Sequence, residues 1–158
     1  MTTRLQLDPG SYPDVLSAMS GLGAVVERSG LEPSLIELVK VRASQLNGCG
    51  YCIDMHTKDA RLAGETEQRL YLLSAWREAP MYSARERAAL AWTEAVTRLQ
   101  DQDVSDAVYA QAREQFSEAE LVNLTLAVVA INGWNRFSIA FRKTPGTYVA
   151  GSLRRPSA

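Results

Sequence analysis

Residues 37–56 read Glu37-Leu38-Val39-Lys40-Val41-Arg42-Ala43-Ser44-Gln45-Leu46-Asn47-Gly48-Cys49-Gly50-Tyr51-Cys52-Ile53-Asp54-Met55-His56, and they hold both cysteines and the only histidine of the 158-residue chain. A helix from about Cys49 to Ala63 puts Cys49, Cys52 and His56 at i, i+3 and i+7, within an arc of roughly 60°. Ile53, Ala60 and Ala63 share that arc, while Asp54, Lys58 and Arg61 lie on the other side. The thiols and the imidazole are therefore expected to face the protein interior.

Two thiols three residues apart, the first in the opening turn of a helix, can close a small disulfide with little backbone movement. Exposed helix N–H groups stabilise a thiolate there. That argument favours Cys49 as the more acidic thiol, whereas a neighbour at i+4, His56, favours Cys52. Thiol, base and second thiol together permit either peroxide reduction or disulfide exchange.

The pattern Glu37, eleven intervening residues, Cys49-Gly-Tyr-Cys52, three residues, His56 resembles the active-site motif of the AhpD-like alkylhydroperoxidases of the carboxymuconolactone decarboxylase superfamily. Lys40, Arg42, Asn47, Asp54 and Lys58 fit the resemblance, which is close from Leu35 to Leu62 and looser over most of the chain. It implies an all-α AhpD-like domain covering residues 1–158 and assembled as a homotrimer or homohexamer. It implies thiol-dependent peroxidase activity in antioxidant defence, with Cys52 peroxidatic, Cys49 resolving, and Glu37 and His56 relaying protons. An external dithiol or thiol protein would reduce the resulting disulfide, with no metal, flavin or nicotinamide on this chain. One departure stands out: Tyr51 occupies a position that is often histidine in the family, so a relay through it would use water or the phenol.

Other readings of the motif remain. Zinc would find three donors in Cys49, Cys52 and His56, with Glu37 or water as the fourth, and a zinc-binding or redox-sensing interaction module is the alternative from another class. A decarboxylase of the superfamily's other kind has no use for a cysteine pair. A c-type haem would need histidine directly after the second cysteine, where Ile53 stands, and a thioredoxin fold would need strands around the CxxC. Glu37 by itself would be read as a surface ion pair with Lys40.

The rest of the chain supports a helical protein. Hydrophobic residues make up 46% and charged residues 22%, and 17 basic against 18 acidic side chains leave a net charge of −1. This gives no electrostatic case for nucleic acid or anionic membrane. The first residues carry no apolar signal-peptide run, and the most apolar stretch, 121–131, is far shorter than the ~20 residues of a membrane span. A cytoplasmic location is expected, where a CxxC pair is seldom a structural staple.

Helix signals recur along the chain. An extended arm ends at Pro13, and a helix through Val15, Leu16, Met19, Leu22 and Val26 is stopped by Gly30. The Glu32-Pro33 step opens a second, closed by Asn47-Gly48. Thr66 to Glu78 is expected as one helix before Pro80. Capping boxes begin two more, at Ser83–Glu86 and Ser117–Glu120, and a shorter helix starts within 103–106 and runs to about Phe116. The last long helix is apolar nearly all round in its first half, which fits a central or inter-subunit position. Gly133 in it offers close approach to another backbone. Asn132, Trp134, Asn135 and Arg136 are candidates for a pocket mouth or for polar helix packing, and Trp92 for core. The tail after Thr144 reads as an arm able to dock on a neighbouring subunit.

Overall fold

The computed structural model describes residues 2–152, and among these it contains seven α-helices and no strand. In chain order they are α1 (Pro13–Glu27), α2 (Pro33–Asn47), α3 (Gly50–Leu62), α4 (Glu67–Leu72), α5 (Ala84–Arg98), α6 (Asp106–Gln115) and α7 (Glu118–Ala140). Their starts follow the capping chemistry. Proline opens α1 and α2, and Thr66 and Ser105 accept backbone N–H bonds at α4 and α6. Complete capping boxes, Ser83 with Glu86 and Ser117 with Glu120, open α5 and α7.

The central helix is α2, which packs against α3, α5 and α7, while α1 lies on α7 and α6 on α5. It buries Leu35, Ile36, Leu38, Val39, Val41, Arg42, Ala43 and Ser44, so nearly its whole circumference is enclosed. The apolar helix α7 is less central than its sequence suggests. It buries Leu121, Leu124, Ala127, Val128 and Ile131 but leaves Val122 and Val129 exposed on the opposite face. One core, with Val39, Trp92, Phe116 and Leu124, lies where α2, α5, α6 and α7 meet. A second, with Leu38, Ala60, Leu73 and Leu90, joins α2, α3 and α5 to the α4 region.

Three expectations are corrected by tertiary contacts. The segment expected as one helix over 66–78 ends at Leu72 and continues as a 3₁₀ turn over Leu73–Ala75. Trp76 and Arg77 there turn toward Glu94 of α5, and the Arg87 guanidinium satisfies the freed carbonyls of Trp76, Arg77 and Ala79. A tertiary hydrogen-bond network thus outweighs two further turns of helix.

Gly133 faces the Met19 side chain of α1 and not a backbone; a Cβ there would sit 2.8 Å from Met19 Cε. Finally, residues 145–152 fold back onto α3 of their own chain. The Gly146 N–H donates to Asp54 Oδ2 at 2.9 Å, Lys58 Nζ reaches the Tyr148 carbonyl at 3.0 Å, and the Tyr148 hydroxyl and Gly151 N–H converge on buried Asp59. The α3 face that looked solvent-directed is therefore partly covered; Arg61 stays exposed, but so does Ala63, from the face expected inside. Pro156, also part of that tail, lies outside the described residues.

Candidate active site

The turn between α2 and α3 positions the sulfurs. Gly48 adopts the left-handed conformation, φ 70°, and the Cys49 N–H returns to the Ser44 carbonyl at 2.9 Å. This is a Schellman-type ending, open to glycine at no steric cost. It hands the chain directly to Cys49, which is the N-cap of α3, and the Cys49 sulfur accepts the Cys52 N–H at 3.4 Å. Both thiols are free and each is 1% exposed.

A thiol–thiol hydrogen bond divides the pair. Cys49 is lowered to about 7, first by the hydrogen bond from the Cys52 thiol, against the cost of burial, and then by the Cys52 N–H, Ser138 and Asn135. Cys52 is pushed up by the same thiol–thiol hydrogen bond, by burial and by the charge on Cys49. One thiol proton thus bridges the two sulfurs, and the direction of the shifts favours Cys49 over Cys52 as the thiolate. Of the two opposing arguments from sequence, the direction of the shift agrees with Cys49 as the more acidic thiol, chiefly through the Cys52 thiol and only then through the helix-terminal Cys52 N–H.

Below the sulfurs, His56 is 7% exposed and its Nδ1 lies 2.9 Å from Glu37 Oε2. The other carboxylate oxygen, Oε1, accepts from Lys40 Nζ at 2.9 Å. Glu37 therefore makes the Lys40 ion pair suggested by local spacing and the His56 contact suggested by the family resemblance, one oxygen each. Burial alone would raise its pKa, but the hydrogen bond and charge of His56, followed by Lys40, hold it at about 2.

A carboxylate whose folded-state pKa lies below its unfolded value contributes stability that is complete above the unfolded value, here 4.5, and is lost as pH falls through about 2. We expect wild type to lose on the order of 3 kcal/mol through Glu37 across that window. The loss should be missing in Glu37→Gln, measured by urea unfolding at a series of pH values. Equal acid sensitivity in the two proteins would refute the assignment.

The floor under the thiols comes from α7 and was only partly visible in sequence. Asn135 is fully buried, donates to Ser44 Oγ at 3.0 Å and accepts from Asn47 Nδ2 at 2.8 Å. Asn47 also reaches Asn132 Oδ1, and Asn132 donates to Thr97 Oγ1 of α5 at 3.0 Å, so an amide chain ties α2, α5 and α7 together. Arg136 bonds the Asn132 carbonyl from the outer surface. Ser138, whose Oγ is 3.6 Å from Cys52 Sγ, carried no sequence signal beyond standing three residues after Asn135 on one face of α7.

On the far side of Ser138 lies a cavity of about 540 Å³, whose walls include Tyr51, Trp134, Phe137 and Phe141. Trp92, by contrast, belongs to the core. Among the described residues, no three His, Cys, Asp or Glu side chains are grouped so as to hold a metal ion. Nor is any described helix long and apolar enough to cross a membrane.

The class defined by this architecture is an all-helical protein with a buried CxxC at a helix N-terminus, backed by a Glu–His pair. The chain belongs to the carboxymuconolactone decarboxylase family, whose model matches residues 13–95, and it has the AhpD-like fold. It is 44% identical to the uncharacterized protein YdfG of Bacillus subtilis over 128 residues, covering 81% of this chain and 87% of that protein. The crystal structure of ATU0492 from Agrobacterium tumefaciens, a protein of unknown function suggested to be the antioxidant defence protein AhpD, superimposes with a TM-score of 0.88. The two are 40% identical over 93% of this chain and all of that one. A peroxidase-related protein from Ralstonia eutropha with an alkylhydroperoxidase AhpD core shares the fold, with a TM-score of 0.77 at 19% identity over 88% of this chain and 74% of that chain.

Proposed function

We propose that this protein is a thiol-dependent peroxidase that reduces hydroperoxides through Cys49 and Cys52 and is recharged by an external dithiol. The observation that carries this reading is the pair itself: two buried thiols in one helical turn, the Cys49 sulfur accepting the Cys52 N–H at 3.4 Å, beside a Glu37-anchored histidine on the same helix and one hydroxyl away from a cavity.

In the proposed cycle, the shared proton moves from Cys52 to Cys49, making Cys52 the thiolate. Cys52 is assigned the attack because His56, the acid for the leaving oxygen, follows it by one turn of α3, as in the family's motif. It attacks the terminal peroxide oxygen, the O–O bond breaks, and the alkoxide leaves with a proton from His56 as the alcohol. Cys52 is now a sulfenic acid. The Cys49 thiol displaces its hydroxyl as water and forms the disulfide, so two electrons have passed from the sulfurs to the peroxide. Glu37 holds Nδ1, leaving Nε2 for proton exchange. Tyr51 stands at the cavity wall, where its phenol can order a water in place of the family's histidine.

We place the protein in the cytoplasm and assign it a homotrimeric or homohexameric assembly. Support for assembly comes from apolar side chains left outside, among them Val122 at 69% exposure and Val129 at 50% on α7.

One equivalent of hydroperoxide should remove two free thiols per chain, and a dithiol such as dithiothreitol should restore them. Survival of both thiols would overturn the proposal. Alkylation by iodoacetamide as a function of pH provides a second check. One thiol should titrate with a midpoint near 7, and the midpoint should rise in Cys52→Ala, where the hydrogen bond from the second thiol is lost. A wild-type midpoint near the ordinary 9.0 would contradict the shared-proton pair.

A further inference from the structure

The cavity beside Ser138 is chemically lopsided. Its apolar wall is an aromatic ladder along α7, Trp134 to Phe137 to Phe141, with ring centroids 6.4 and 6.1 Å apart. Among its described lining residues, Lys143 alone is charged and none is a carboxylate. Lys143 forms no ion pair with any described residue. It folds over Tyr51 instead, with Nζ 4.0 Å from the ring centroid. Ser138 connects the same cavity to Cys52.

The volume lies within the range of pockets that enclose small organic molecules. A purely apolar occupant would leave the one ammonium group unused, and a small polar peroxide would leave the aromatic ladder uncovered. A molecule with an apolar body and an anionic end satisfies both. We infer that this cavity seats amphipathic hydroperoxides bearing a carboxylate, with the apolar body on the aromatic ladder, the carboxylate at Lys143 and the peroxide toward Ser138 and Cys52. The inference deepens the peroxidase reading and rests on it for the peroxide end alone.

The test has two arms. In the first, 4-phenylbutyrate and 4-phenylbutanol are titrated against the Cys52→Ser protein while tryptophan emission is followed, with Trp134→Phe added as the control. Saturable quenching by the acid, weaker for the alcohol and lost with Trp134, is expected. In the second, wild type is assayed with linoleic acid hydroperoxide and its methyl ester. The acid-to-ester ratio of kcat/KM should fall about fivefold in Lys143→Gln and return in Lys143→Arg.

Equal use of acid and ester by wild type, with no quenching, would overturn the cavity assignment while leaving the peroxidase standing. Quenching without turnover of any hydroperoxide would support the carboxylate site and sink the peroxidase. Dissociation of an oligomer by the acid in place of Trp134 quenching would assign the groove to a second copy of the chain and overturn the inference.

Discussion

Cys52→Ser is expected to lose hydroperoxide consumption by about a thousandfold or more, since the attacking thiolate is replaced by a hydroxyl that stays protonated at any working pH. The change is nearly isosteric at a site 1% exposed, and a serine hydroxyl can still bond Ser138, so the fold should survive with a cost of about 1 kcal/mol. Cys49→Ser should behave differently. Its Cys52 still attacks once, and without a resolving thiol it should persist as a sulfenic acid that a 1,3-diketone reagent labels at one site per chain. The lowered pKa of Cys49 makes the comparison informative. If Cys49 attacked instead, the two variants would exchange behaviours: Cys52→Ser would accumulate the sulfenic acid and Cys49→Ser would be inert. That result would reverse the roles of the sulfurs while keeping the chemistry.

The largest expected effect on stability lies away from the sulfurs. Glu94 of α5 is 6% exposed and gathers donors from two other parts of the chain. Arg42 of α2 donates through Nε at 2.8 Å and lies 2.7 Å away through its second terminal nitrogen; the Trp76 indole donates at 2.8 Å and Arg77 at 2.7 Å. Glu94→Ala would leave the Arg42 guanidinium, itself 8% exposed, without its carboxylate. Breaking a buried pair from one side costs about 3 to 5 kcal/mol, mainly because the remaining charge is stranded. Arg77, 60% exposed, adds little. Glu94→Gln keeps an acceptor oxygen and should cost about 2 kcal/mol. Urea unfolding checks both, and a Glu94→Ala loss below about 1 kcal/mol would show that Arg42 finds another partner.

Because Arg42 lies two residues before Ser44 on α2, this ion pair also sets where α2 lies against α5. Ser44 in turn supports Asn135 beneath the thiols. Stability and site geometry are coupled there, and Glu94→Ala should blunt thiol reactivity as well as unfold more easily.

The parts of the fold that could be read from sequence were those written in adjacent residues. The capping boxes at Ser83 and Ser117, the proline opening α2 and the Asn47-Gly48 stop act within one helical turn, and each stands where its residues predicted; Pro13, read as the end of an arm, instead opens α1. Cys52 and His56 follow from the 3.6-residue period within α3, while Cys49, read as the helix's first residue, stands as its non-helical N-cap and is buried beside them. Glu37 was recognisable only through a spacing pattern known from a family. Local spacing by itself favours Lys40 as the partner, and His56 joins it only once α2 and α3 are packed side by side.

What folding alone determined is everything that joins residues far apart in the chain. The break after Leu72 follows from Glu94 and Arg87 drawing in Trp76 and Arg77. The cover over α3 comes from Tyr148 and Gly151 meeting Asp59, some ninety residues earlier. The acidity of the sulfur pair draws on Asn135 and Ser138, more than eighty residues from the cysteines. Backbone periodicity and capping are short-range and are encoded locally. The partner of a buried polar group depends on which helices the hydrophobic core brings together, and that choice is made by the packing of the whole chain.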